Sequence, residues 1–457
     1  ARDKGFFLPR LSARDERIEG QEGDSVAARS SREWLAGLTL APSSTVRLRG
    51  GYAIRDGAVV AQWGTPAALD HATTWDGGIS ARAGTSLSID GGFTRRRVES
   101  ASGPQGTNLA QLAVLAGRPG APITSELRYD VTQLREAALV RTLTPTQAGG
   151  GSYDPYGNPR LGGGYELVTS TGDLETRSRA VVQMRLDTYP GRAAVKPGAR
   201  RAGWRGLGGS SFLRVETLSS LPLGQLDQAV DPSSYLSPET TVRGSLVARQ
   251  TLEYVPAAAR WDVRGELGVS RDQNGEIESL RTRRSGVDSR LTLRHALPAR
   301  MRATASAAYD RSEQSIERVE TGDAIESTLR GRGFELEISR ELRREWTVSI
   351  LSRQRRDIDM SHGGTFDLWS VGPTARYSSG ARIRIDGRML QGWSEQQGTY
   401  APPGLYAPAV LGRRLDYDFL GEYRVHDQVS LSLSWTGFKA PNQSGYYTGR
   451  FELKGTF

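Results

Sequence analysis

Four histidines are the first residues to weigh for chemistry: His71, His295, His362 and His426. They stand far apart, and none has a second ligand at a metal-binding spacing. The one acid–histidine cluster worth naming is Asp359 and His362, in the segment DIDMSHGG at 357–364. An acid and a histidine can hold and relay a proton, but a solvated loop is the plainer reading. The chain has no cysteine, which excludes disulfides, thiolate chemistry and Cys-based metal sites. It has no GxSxG, no P-loop, and no GxGxxG between a strand and a helix. No catalytic residue, metal ligand or cofactor is expected, and the chain does not read as an enzyme.

Aromatic and charged residues offer binding chemistry instead. Around 149–166 two glycine runs flank Tyr-Asp-Pro-Tyr-Gly-Asn-Pro. This stretch suits a small outward hairpin or a loop folded into a channel mouth. Tyr153, Tyr156 and Tyr165 are its contact candidates, with rings that could stack on sugars. Asp154 and Asn158 offer oxygens, but without the spacing of an EF-hand. A glycine-rich exposed loop is the plainer alternative. A second set of charges lies within alternating segments: Arg264, Glu266, Arg384, Asp416, Asp418, Arg424, Arg450 and Glu452.

Alternation identifies the elements that carry these charges. Val429, Leu431, Leu433 and Trp435 alternate with Ser430, Ser432, Ser434 and Thr436. Leu415, Tyr417, Phe419, Tyr423 and Val425 alternate with Asp416, Asp418, Glu422 and Arg424. Similar runs surround Val46, Trp261, Phe334, Trp346 and Ile383. A strand turns successive side chains to opposite faces, so each run has one apolar and one charged face. The connections between runs alternate in length. Short ones fall at 41–44, 83–84, 117–121, 255–259, 297–299, 343–344, 379–380 and 426–428. Longer ones fall near 56–71, 136–175, 220–239, 272–282, 317–329 and 395–412. The connection at 190–208 breaks the rule, being long where the phase expects a short turn. The count is about 18–20 strands. The first upward strand is expected near 5–12, so residues 1–32 are a segment of uncertain structure.

Composition fits such a protein. The 457 residues are 37% hydrophobic, with a mean hydropathy of −0.48. No run of about 18 or more apolar residues exists, which excludes a helical membrane protein. A membrane barrel remains open, because only alternate residues of each strand face lipid. The net charge of +9 is spread along the whole chain and interleaved with acids, which argues against nucleic-acid binding. The start, ARDKGFFLPR, has no apolar signal core. It reads as a mature form or as part of a longer chain. Tyr189, Tyr254, Trp261, Trp346, Tyr377 and Phe457 all sit beside short turns or at the chain end, as an interfacial aromatic belt would.

The end of the chain carries a resemblance. Phe451, Leu453, Gly455 and Phe457 fall on one strand face, and Arg450, Glu452, Lys454 and Thr456 on the other. A last strand of this kind, ending on an aromatic, resembles those of bacterial outer-membrane β-barrels. Thr448-Gly449 stand in for the polar-Gly pair of that signal, at a longer spacing from the final aromatic. The resemblance implies one antiparallel up-and-down transmembrane barrel over 1–457, with short periplasmic turns and long extracellular loops. It implies location in the outer membrane, among its lipids and lipopolysaccharide, after assembly by machinery that reads the last strand. The charged face then lines the lumen, since a charge at mid-depth on the lipid side costs about 2–4 kcal/mol. The expected function is a channel for passive or weakly selective passage of small solutes. The alternative is a barrel anchor or subunit of a larger envelope assembly for secretion, adhesion or surface display, with a protein partner or further copies of itself. The absence of a plug-sized N-terminal domain argues against a plugged, energy-coupled receptor.

Overall fold

In the computed structural model the described residues are 7–22, 25–60, 66–100, 103–118, 120–147, 150–157, 159–190, 206–220, 241–256, 259–380, 382–398, 411–426, 429–440 and 445–455. They form strands joined by turns. In chain order the first strands are β1 (Phe7–Glu22), β2 (Ser25–Ser43), β3 (Val46–Val60), β4 (Pro66–Ala83), β5 (Leu87–Ser100), β6 (Gly103–Ala116) and β7 (Ile123–Pro145). A small hairpin follows, β8 (Gly151–Tyr153) and β9 (Pro159–Gly163). Then come β10 (Tyr165–Thr188), β11 (Leu207–Ser219), β12 (Thr241–Tyr254), β13 (Trp261–Asn274), β14 (Leu280–Leu297), β15 (Met301–Arg318) and β16 (Ala324–Arg343). The last six are β17 (Trp346–Asp359), β18 (Gly364–Ser379), β19 (Ile383–Gln397), β20 (Gly412–His426), β21 (Val429–Lys439) and β22 (Tyr446–Gly455).

Setting the hairpin aside, twenty long strands pair with their chain neighbours in one continuous antiparallel meander. β7 pairs with β10 across the hairpin, so the order of neighbours follows the chain from β1 to β22. This is the architecture of an up-and-down β-barrel. Among the described residues no ladder joins β1 to β22. The strand expected near 5–12 is β1, and it runs on to Glu22.

The short connections lie at one end, at Ser44-Thr45, 84–86, 117–122, 255–260, 298–300, 344–345 and 380–382. The other end differs from expectation in degree. Ladders run on into segments read as loops, so β7 has 23 residues and β10 has 24. A tilted strand crosses a bilayer in about 9–11 residues. The excess continues as two-stranded ribbon, where backbone pairing no longer needs an apolar face. Some connections at that end are also tight, as at 275–279 and 360–363. Most of the irregular connection at 190–208 lies outside the described residues.

Partners directly opposite in a ladder share a face, so the register assigns every side chain. One face carries Leu267, Leu291, Phe334, Ile350, Met389, Phe419, Leu433 and Phe451, all exposed. Ile350 and Phe451 are 63% and 68% exposed, which in water would oppose folding and in hydrocarbon would not. The polar pair Ser211 and Gln250 on this face lies directly opposite in the ladder and is hydrogen-bonded to itself. The other face is concave: one cavity of about 640 Å³ is lined by residues of strands from β14 to β22, including Arg290, Glu335, Arg388 and Thr436.

Candidate functional site: the charged inner face and its covered mouth

All eight charged candidates lie on the concave face. Arg264 is opposite Thr292 and Glu266 opposite Arg290, and Arg290 is opposite Ala308. The face continues through Ala308–Gly333, Glu335–Arg353 and Arg353–Ser370. It reaches Arg384–Glu422, Arg388–Asp418, Asp418–Thr436 and Ser434–Arg450 without a change of side.

These charges pair in two ways. Two residues apart on one strand, Arg264 meets Glu266 at 2.6 Å, Arg384 meets Asp386 at 2.7 Å and Arg414 meets Asp416 at 2.9 Å. Arg450 and Lys454 both reach Glu452, at 3.6 and 3.4 Å. Across strands, Arg353 meets Glu335 at 2.7 Å, Arg376 meets Asp386 at 2.6 Å, and Arg388 holds Asp418. Arg424 shares the face near the short-turn end. Most of these groups are half-exposed, so each pair adds little stability. What the pairing fixes is where charge sits along the wall.

Glycines let other charged side chains of the inner face lie flat. Asp76 rests over Gly51, Arg49 over Gly78, Asp288 over Gly268 and Asp310 over Gly331, each directly across the ladder. A Cβ at any of these glycines would strike the charged group. The missing Cβ leaves room for these charges to lie against the wall.

The mouth at the long-connection end is partly covered. The upper part of β7 leans over to the β13–β14 connection. There Glu278 donates its backbone N–H to the Arg141 carbonyl at 3.0 Å, and Arg141 meets Glu276 at 3.3 Å. Leu143, Leu280 and Ile316 form a buried cluster beneath, with Tyr153, Tyr156, Tyr165, Leu167 and Ile277 packed on it. Leu280 and Ile316 belong to the inner face, so the β8–β9 hairpin is seated inward. Asp154 accepts the Tyr156 backbone N–H at 2.8 Å and shapes the hairpin tip. The three tyrosines thus spend their rings holding the hairpin down and are only partly open to solvent. Near this cover lies a cavity of about 780 Å³, lined by Arg179, Glu216, Arg243, Asp272, Glu276 and Arg284 among others. Arg179 is bonded to Glu216, and Arg284 donates to Gln314 at 3.0 Å.

The aromatic candidates divide. Tyr254 and Trp261 pack at 5.7 Å between ring centroids, and Trp346 and Tyr377 at 4.8 Å, all on the outer face beside short turns. Tyr189 lies over Gly208, an inner-face position, and so is on the concave side of that rim. Phe457 lies outside the described residues. A second outer girdle was not anticipated: Trp369 stacks on Trp393 at 4.7 Å, Tyr52 packs on Trp75 at 4.4 Å, and Trp435 on Tyr447 at 5.9 Å. Strand pairing creates these contacts, and only the register reveals them. Trp369 and Tyr377 are eight residues apart on β18. With strand tilt that separation is about 20 Å in height, close to the apolar band of about 25 Å on membrane barrels.

Of Asp359 and His362, only the histidine is exposed. Asp359 is fully buried and accepts the Ser361 and His362 backbone N–H groups at 3.0 and 3.1 Å and His362 Nδ1 at 2.9 Å. This carboxylate caps the tight β17–β18 turn with one oxygen and holds the His362 ring with the other. Among the described residues no cluster of three potential metal ligands occurs.

No protein-family model and no curated protein matches the chain. Among solved structures it is similar to the siderophore receptor PirA from Acinetobacter baumannii, with 8% identity, 95% of this chain and 71% of that one covered, and a TM-score of 0.37. It is similar to the copper transporter OprC at 10% identity, with 94% and 73% covered and a TM-score of 0.39. It is also similar to the alcaligin outer-membrane receptor FauA from Bordetella pertussis at 12% identity, with 99% and 71% covered and a TM-score of 0.33.

Proposed function

We propose that this chain is a transmembrane β-barrel of the bacterial outer membrane that carries small charged or polar solutes through its lumen. The observation that supports it most is the division of faces along twenty long strands, with a band of exposed apolar side chains outside and a charged, concave face inside. In hydrocarbon the backbone must satisfy its own hydrogen bonds, which a closed meander does. The two outer aromatic girdles fit the two interfaces of a bilayer.

The seated hairpin favours a second reading over an open pore. A mouth crossed by β8–β9, with a cavity of both charge signs beside it, suits a barrel that holds its solute before passage. One experiment separates the two. The purified protein is checked for heat-modifiable gel migration and then inserted in a planar lipid bilayer. Steady single-channel conductance supports an open channel. Heat-modifiable migration without conductance supports a solute-holding barrel. Full solubility without detergent would overturn both.

A further inference from the structure

Like charges face each other on the outside of the sheet. On the outer faces of β15, β16 and β17, Arg311 is directly opposite Arg330, and Arg332 is directly opposite Arg356. Cross-strand neighbours have Cβ atoms about 4.5–5.5 Å apart, and like charges there are destabilising. Two such pairs stand next to each other, on consecutive outward positions of β16. Nearby acids offset only the flanks: Glu313 pairs with Arg311, and Asp367 lies 3.6 Å from Arg356. The middle two guanidiniums, Arg330 and Arg332, have no carboxylate partner among the described residues, and the Arg330 Nε is buried without a hydrogen bond. The missing element is an anion with several oxygens.

Position selects the kind of anion. Arg332 sits one outward step above Phe334, which is 50% exposed and belongs to the apolar band. A group bound here would have its charge on the arginines and its remaining bulk beside exposed apolar side chains. We propose that this patch binds the phosphate groups of a phosphorylated lipid in the surrounding leaflet, with guanidinium forks taking phosphate oxygens in pairs. The proposal rests on the reading of the outer face as lipid-facing.

The test is native mass spectrometry of the full chain released from non-ionic micelles. The added probes are a bisphosphorylated glycolipid (lipid A), its dephosphorylated form and, separately, inorganic phosphate. The unmodified chain should retain lipid A and not the dephosphorylated form. Arg330→Gln with Arg332→Gln should weaken retention roughly 30-fold, since each surface arginine contributes about 1 kcal/mol toward an anionic lipid. Arg95→Gln with Arg97→Gln, elsewhere on the outer face, should leave it unchanged. Heat-modifiable migration certifies folding of each variant, and Arg332→Gln alone serves if the double variant does not fold. Equal retention by all variants, in a protein that still needs detergent, would overturn the proposal and leave the membrane reading standing. Binding of inorganic phosphate with no lipid adduct would also overturn it. A chain soluble without detergent and free of lipid would remove the membrane reading first.

Discussion

At the scale of single residues, the turn between β14 and β15 shows where the chain bears strain. Ala299 and Arg300 both have φ of +57°, and Met301 donates its backbone N–H to the Pro298 carbonyl at 3.2 Å. Two successive left-handed residues in this three-residue connection suit Asn or Gly, and neither Ala299 nor Arg300 does. Ala299→Asn with Arg300→Gly should therefore stabilise the protein by about 1 kcal/mol. Urea unfolding followed by gel migration would register this as a higher midpoint, and a lowered midpoint would contradict it. The same scale marks a limit of the sequence. The segment 357–364 suggests an exposed acid and histidine, yet Asp359 is buried as the acceptor of three hydrogen bonds. Nothing in the local residue types distinguishes an acid that caps a turn from one that faces water.

At the scale of elements, the alternation of residue types is strong enough to place the strands and assign their faces. The eight candidate charges, Arg264 to Glu452, fall on one side because bilayer and lumen impose opposite demands on successive residues. Two things escape that logic. Strands such as β7 and β10 extend past the bilayer, where alternation weakens although pairing continues. The seat of the β8–β9 hairpin depends on Leu143, Leu280 and Ile316, which are far apart in sequence and meet only once the register is set. The seat is a hydrophobic contact and should yield to its removal. Leu280→Ala should cost it about 2–4 kcal/mol. If the hairpin limits passage, conductance in a planar bilayer should rise in this variant while heat-modifiable migration is kept. Unchanged conductance would mean the cover does not obstruct the path.

At the scale of the whole molecule, the described sheet ends on two edges, β1 and β22. An open edge in hydrocarbon leaves backbone groups without partners, at a cost of several kcal/mol per group. The two edges are expected to close on each other. The absence of native cysteine allows a clean test. Single cysteines at Arg10 or Ser12 on β1, combined with one at Thr448, Arg450 or Glu452 on β22, all inner-face positions, sample the possible registers. At least one pair should cross-link on mild oxidation, because a disulfide forms only with Cα atoms about 4.4–6.8 Å apart. If no pair forms, each edge has some other neighbour. The pairs of arginine and carboxylate two residues apart on one strand have a further consequence, for what a traveller through the lumen would feel. Signs alternate along the wall every two residues, about 7 Å, which is shorter than the screening length of about 8 Å in physiological salt. A bare small ion close to the wall would pass over a corrugated potential, hill after well. A larger solute would overlap several periods at once and sense only their average. If the chain carries solutes as proposed, such a wall would sort charged ones by how compactly they carry their charge, more than by its sign.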